Sequence, residues 1–284
     1  MKVLSDYSLK ELREVLREYP SFRAKQIFDA IMQAKDYDEI AIPKNMIAQL
    51  KKDYILKPIE IYKILHSKDG TKKYLLKLYD DNLVECVFLS QHYGNTICMS
   101  TQVGCRMGCK FCASTANGLI RNLTAGEMIS TIALINADNG KRTERNFSNI
   151  VLMGSGEPFD NFDNVVKWLH LITDESGFNV SERNISLSTC GLVDKIYEFS
   201  KPKFNITLCI SLHATTDEER KKIMPIANRY SINEIIDAVK AYSDENKRRV
   251  VFEYCLIKGV NDSKQDIDRL ASLTKGLLCH VNVI

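Results

Sequence analysis

The chain lacks the features that would take it outside the ordinary globular classes. No apolar run comes near the ~20 residues of a membrane-spanning helix, and the first residues do not form a secretory signal. The expectation is a cytoplasmic protein with no membrane partner. Low-complexity segments are missing, and so is any fixed-period repeat beyond strand–helix alternation. Strong charge of either sign is also missing: 39 Lys and Arg against 36 Asp and Glu leave a net charge of +3. That balance permits a nucleic-acid partner through a local basic patch without requiring one. A second C-x-x-C pair or an H-x-x-x-H partner, which zinc ribbons and fingers use, is absent. What remains is 284 residues, 45% apolar and 26% charged, enough for one large domain and a small one. Nine cysteines fit a reducing compartment better than a disulfide framework.

Three of those cysteines stand close together, Cys105, Cys109 and Cys112, in Gly104-Cys105-Arg106-Met107-Gly108-Cys109-Lys110-Phe111-Cys112. Thiolates at this spacing can converge on one metal centre. They are one short of closing a zinc site or filling the corners of an iron–sulfur cube. A missing ligand leaves a coordination position open to a small molecule. Bacterial ferredoxin runs are C-x-x-C-x-x-C, with a different first gap. Free cysteine also packs as a small hydrophobe, but interleaved Gly, Arg and Lys do not look like core.

Apolar periodicity organises the rest. Leu9, Leu12, Val15 and Leu16 share a helical face, Ala24 to Met32 reads as a second helix, and Pro43 opens a third running to Lys52. Residues 1–55 are expected to form a small α-helical domain. Ile59–Tyr62, Lys73–Tyr79 and Leu83–Leu89 read as strands broken at Asp69-Gly70 and Asp80-Asp81-Asn82, so 56–95 is expected to be an antiparallel β extension. From Thr96 the chain alternates strand and helix. The strands are Thr96–Ser100, Asn149–Met153, Asn184–Thr189, Asn205–Leu212, Arg249–Ile257 and Cys279–Ile284. The intervening helices include one opened by the capping box at Thr124 and others near Val165–Ile172, Val193–Phe199, Ile232–Tyr242 and Lys264–Leu273. The fold class is α/β. Residues 96–284 are expected to form a partial (β/α)6 barrel of right-handed crossovers with its functional groups at the carboxyl ends of strands.

The cysteine motif, with an aromatic before its third Cys, is the signature of radical S-adenosylmethionine (SAM) enzymes. Its flanks are Cys98-Met99-Ser100-Thr101-Gln102-Val103-Gly104-Cys105, Gly156-Glu157-Pro158, Leu187-Ser188-Thr189, Ser211-Leu212-His213 and Val281-Asn282. Together they resemble the RlmN/Cfr family of RNA adenine methyltransferases, from about Leu9 to the last residue. The resemblance implies a radical SAM barrel holding a [4Fe–4S] cluster on Cys105, Cys109 and Cys112, with SAM on the remaining iron. It implies SAM contacts at Gly156, Glu157, Ser188, Ser211, Leu212, His213 and Asn282. Glu157 would take the ammonium group. Glu85 would face the active site, and Cys98 would accept the ring proton and resolve the protein–RNA link as a disulfide. That base role needs some thiolate, so polar surroundings are expected for Cys98. The implied partners are 23S rRNA, tRNA and a reduced flavodoxin- or ferredoxin-type donor, with the protein a monomer.

Pro158 leans toward the branch that methylates adenine C2, because C8 relatives tend to carry Ala after Gly-Glu. The family's methyl-carrying cysteine lies beyond the last barrel strand. The chain stops at Val281-Asn282-Val283-Ile284, so that segment is expected to be missing and methyl transfer incomplete. The other cysteines, Cys86, Cys190, Cys209 and Cys255, read as packing. Candidate phosphate contacts are Lys72-Lys73, Lys141-Arg142 with Arg145, and Lys247-Arg248-Arg249. Competing readings are C8 methylation, peptide modification by another radical SAM enzyme, and a zinc-stabilised RNA-binding protein.

Overall fold

Hydroxyl residues three positions ahead of an acid mark four helix starts. Ser8, Thr124, Ser231 and Ser263 accept the backbone N–H of Glu11, Glu127, Glu234 and Asp266, and each acid reaches back to the cap's own N–H. These reciprocal bonds satisfy donors that a helix start leaves without partners. The computed structural model describes residues 1–284 and divides into two compact units. One comprises Met1–Val103, Asn122–Ser155 and Asp163–Ser181; the other comprises Gly104–Arg121, Gly156–Phe162 and Glu182–Ile284.

The first unit begins with β1 (Lys2–Val3), α1 (Leu9–Val15), α2 (Phe22–Met32), α3 (Lys44–Asp53) and β2 (Tyr54–Ile55). β1 pairs with β2 in parallel and brings the two ends of this helical segment together. The apolar stripes bury Leu9 and Leu12 on α1 and Ala24, Ile27, Phe28 and Ile31 on α2, as their spacing predicts. Next come β3 (Ile59–His66), β4 (Lys72–Leu78) and β5 (Leu83–Leu89), an antiparallel meander turning where the Asp-Gly and Asp-Asp-Asn runs predict. β6 (Thr96–Met99) is antiparallel to β5 and parallel to β7 (Asn149–Leu152), so the meander joins the first parallel pair through one shared strand. Between β6 and β7 lies α4 (Ala125–Asp138), and α5 (Phe162–Thr173) follows them. The start of α4 is locked to the N-terminal segment. Ser5 Oγ donates to the Gly126 carbonyl at 2.8 Å and also meets Ser130 Oγ at 2.8 Å, while Gly126 N–H donates to Asp6.

In the second unit β8 (Ile185–Thr189), β9 (Thr207–Ser211), β10 (Val250–Tyr254) and β11 (Cys279–Val283) run side by side, all parallel. Helices α6 (Val193–Ser200), α7 (Asp217–Ile223), α8 (Ile232–Asn246) and α9 (Lys264–Thr274) connect them. Leu208, Ile210, Val250 and Phe252 have no solvent exposure, as expected of strands covered on both faces. Helix α7 is an addition to the expected elements. Its sequence, Asp-Glu-Glu-Arg-Lys-Lys-Ile, is nearly all charged and presents no apolar stripe. It is set instead by the Thr216 cap and by a first turn of acids followed by a last turn of bases.

Removing the α4 lock tests this account. Thr124→Ala should lower stability by about 1 kcal/mol. Ser5→Ala, which strands a buried hydroxyl and a carbonyl, should lower it by about 1–3 kcal/mol. Urea unfolding is the measurement, with the midpoint falling and the slope unchanged.

Candidate active site

The cysteine loop lies wholly in the second unit. Gly104 opens it at φ +75°, and a Cβ there would stand 2.0 Å from the Gly118 carbonyl oxygen, so glycine is required. That same oxygen accepts Cys105 N–H at 3.0 Å. Further on, Lys110 N–H donates to the Ile223 carbonyl at 2.9 Å, tying the loop to the end of α7. Cys105 and Cys109 are buried and Cys112 is exposed. Burial raises the Cys105 thiol above its ordinary value. Burial, then repulsion from Cys112 and Cys105, pushes Cys109 up to about 11. Raised thiols of this kind are donors that a cationic centre would bring to the thiolate form. No three Cys, His, Asp or Glu side chains gather around a single point to hold a lone ion. An iron–sulfur cube takes each thiolate on a different iron, and three cysteines would leave one iron open.

Beside the loop, Gly156 turns at φ +108° and presents Glu157, whose side chain is buried. One carboxylate oxygen accepts Phe159 N–H at 3.0 Å and the other accepts Cys190 N–H at 2.7 Å. Burial raises its pKa, and the bonds from Cys190, Thr189 and Phe159 oppose the rise. Strand register collects the other predicted contacts. Ser211 on β9 stands opposite Glu253 on β10, which stands opposite Asn282 on β11. Ser188, aligned with Cys209 two positions before Ser211, projects from the same face. Asn282 Nδ2 donates to Glu253 Oε2 at 2.7 Å. Leu212 contributes backbone rather than side chain: its N–H donates to the Glu253 carbonyl at 3.1 Å while its side chain is buried.

His213 adopts φ +57°, a conformation rare outside glycine. Its Nδ1 accepts Cys255 N–H at 2.9 Å, and its carbonyl accepts Asn261 Nδ2 at 2.8 Å. Phe111 meets the ring edge-on, with centroids 4.9 Å apart. Burial and the nearby Arg220 charge lower its pKa to about 4. At neutral pH the imidazole is therefore uncharged, with Nδ1 an acceptor and Nε2–H the free donor.

The two remaining site candidates are in the first unit. Val87 on β5 pairs with Cys98 on β6, and Glu85 lies two residues from Val87 on the same face. Sheet geometry puts such a diagonal pair roughly 7–8 Å apart. Glu85 is half-exposed and ion-paired to Lys73 at 2.7 Å. The surroundings of Cys98 combine burial with polar neighbours: Glu85 lies on its face, and it accepts from Met153 N–H. Burial raises its thiol above the ordinary range, opposed by a bond from Met153 N–H. The cause is its place on a strand flanked on both sides, by β5 and by β7. The basic groups are largely paired within the surface: Lys72 with Asp138, Lys141 with Glu144, and Arg142 with Glu39. All nine cysteines are free. Glu253, Cys190 and Arg220 were not among the expected site residues. A carboxylate inside the apolar run Val250-Val251-Phe252-Glu253-Tyr254 was a usable signal. Arg220 was hidden among charged neighbours.

This constellation sits on a chain that matches the family described as the radical SAM superfamily over residues 99–271. A solved structure described as a radical SAM methyltransferase from Sphaerobacter thermophilus superposes with a TM-score of 0.93. It is 40% identical, covering 100% of this chain and 84% of that one. A probable dual-specificity RNA methyltransferase RlmN of Clostridium perfringens (strain 13 / Type A) is 51% identical over 290 residues, spanning 100% of this chain and 82% of the relative. Its counterpart in Clostridium acetobutylicum is 49% identical over 289 residues, spanning 100% and 83%. The chain belongs to the RlmN family of radical SAM methyltransferases. It is an enzyme with the expected α/β radical SAM fold, and its family implies a [4Fe–4S] cluster and SAM as cofactors. No helix is long and apolar enough to cross a membrane.

His213 gives a pH test. A histidine with a lowered folded pKa contributes stability above its unfolded value of 6.5, and this is lost as pH falls toward 4. The loss should be on the order of 3 kcal/mol. Unfolding of wild type and His213→Asn, which tolerates the positive φ, should show a wild-type stability advantage that shrinks across this window.

Proposed function

We propose that this protein methylates C2 of adenine in 23S rRNA and tRNA. The observation that carries the reading is the thiol set one short of a closed site, in the same unit as the buried carboxylate of Glu157. Cys105, Cys109 and Cys112 would hold the cluster. When bound, the cluster supplies the electron that cleaves SAM, delivered to it by a reduced flavodoxin- or ferredoxin-type protein. Glu157 receives the methionine ammonium, and its two backbone bonds keep it from swinging away. His213 offers Nε2–H as a donor, and Ser188, Ser211 and Asn282 supply short polar groups from one sheet face. Gly156 lets the backbone approach the ligand without a side chain in the way.

Cys98 accepts the proton from the methylated ring carbon and then resolves the protein–RNA link by forming a disulfide with the family's methyl-carrying cysteine. Its thiol is raised by burial, and the carboxylate of Glu85 lies on the same face of the β5–β6 pair, on the side the RNA would approach. Pro158 at the start of the turn capped by Glu157 favours C2 over C8. The enzyme acts as a cytoplasmic monomer. The relatives' description as dual-specificity RNA methyltransferases supports both RNA classes as substrates.

Anaerobic reconstitution should yield about four irons per chain, as one cube requires. Cys105→Ala, Cys109→Ala and Cys112→Ala should each lose the brown absorbance; full iron in all three would reject the ligand assignment. Glu157→Ala should slow reductive SAM cleavage at limiting SAM. In the source organism, deleting the gene should remove 2-methyladenosine from digests of 23S rRNA and tRNA. Loss of 8-methyladenosine instead would assign the other branch. Complementing the deletion with Cys98→Ala should trap a covalent protein–RNA adduct on a denaturing gel.

A further inference from the structure

Arg220 has no solvent exposure, yet none of the ion pairs in the structure includes it. Its hydrogen bonds all go to neutral backbone carbonyls. Nε donates to Leu212 at 3.1 Å, and Nη2 donates to Cys190 at 2.6 Å and Ser211 at 3.1 Å. Nη1 is buried without a partner. A buried guanidinium whose charge is met only by carbonyls is unfavourable unless an anion lies close. The acidic groups that act on it are the thiols of Cys190 and Cys109 and, three residues earlier, the carboxylate of Asp217.

The packing explains why. Arg220 is on α7, whose final carbonyl at Ile223 accepts Lys110 N–H from the cysteine loop. Met224, the next residue after that helix, packs with Cys109 and Cys190 in one buried cluster. The cysteine loop therefore rests on the end of the helix that carries Arg220. The charge is held still by its carbonyl bonds.

We infer that Arg220 is the fixed counter-charge of the iron–sulfur cluster and raises its reduction potential. The inference rests on the assignment of Cys105, Cys109 and Cys112 as cluster ligands. Three thiolates make the bound cube net negative, and each electron it accepts adds to that charge. A buried cation a short distance behind one ligand stabilises the reduced form more than the oxidised form, because the low-dielectric surroundings screen it little. Arg220 acts through the cluster's surroundings and is a positioning residue, not a group that touches substrate.

The test is potentiometric titration of the anaerobically reconstituted full chain, read by electron paramagnetic resonance of the reduced cluster. If wild type assembles no iron–sulfur cluster, the ligand assignment fails before any variant is compared. With the cluster present, Arg220→Met should lower the reduced-to-oxidised ratio at fixed potential about tenfold or more, a shift of ~59 mV for one electron. Arg220→Lys should stay within about threefold of wild type, although its lost carbonyl bonds lower the thermal midpoint. A merely structural role would move the midpoint and leave the potential alone. An Arg220→Met ratio within threefold of wild type at full iron content overturns the inference. If the methionine variant does not fold, Arg220→Gln, neutral but still able to donate to the carbonyls, decides: a tenfold lower ratio supports the counter-charge, and a ratio within threefold of wild type at full iron content overturns it.

Discussion

The bond from Cys190 N–H to the buried carboxylate of Glu157, 2.7 Å long, is the contact on which the rest of the candidate site depends. It joins the turn after Gly156 to the end of β8. The Cys190 carbonyl then accepts from Arg220, which also holds the Ser211 and Leu212 carbonyls at the end of β9. Leu212 N–H passes the connection to Glu253 on β10, whose carboxylate holds Asn282 on β11. One chain of hydrogen bonds thus runs across four strand ends. Buried polar groups in a network of this kind are expensive to leave unpaired, so each member constrains the next. The residues expected to meet SAM are set by this relay, and a change at Glu157 should be felt beyond its own contact.

Electrostatics run through the same neighbourhood. Cys105 and Cys109 are buried, and burial raises both thiols. Glu157 adds another buried acid, and Arg220 adds a buried cation whose hydrogen bonds all go to backbone carbonyls. Without a cofactor these groups oppose one another. His213 stands apart from the balance: its low pKa keeps it a neutral hydrogen-bond donor through the physiological range. The site therefore combines fixed charges for the cofactors with uncharged groups for orientation, a division that limits reorganisation when ligands bind.

Much of this was legible in the residues. The cysteine spacing, the capping boxes at Ser8, Thr124, Ser231 and Ser263, and the Asp-Gly turn of the meander are local signals, carried by residues within one turn of each other. The six parallel-strand candidates were found because each is an apolar run between helical patterns. Helix α7 escaped because periodicity reads apolar stripes, and Asp217–Ile223 has almost none. Glu253 and Arg220 escaped because their significance lies in what surrounds them.

The sequence by itself determined the donor set, the order of strands and helices, and the glycines that let the backbone turn at Gly104 and Gly156, because each of these depends on atoms close along the chain. Only the tertiary structure decided which groups share a face, which are buried and which are charged. Ser211, Glu253 and Asn282 are separated by dozens of residues and meet only through parallel register. The free energy of a buried charge depends on the distance to its nearest counter-charge, a through-space quantity. That is why Arg220 reads as one more surface base in the sequence and as an isolated internal cation in the fold.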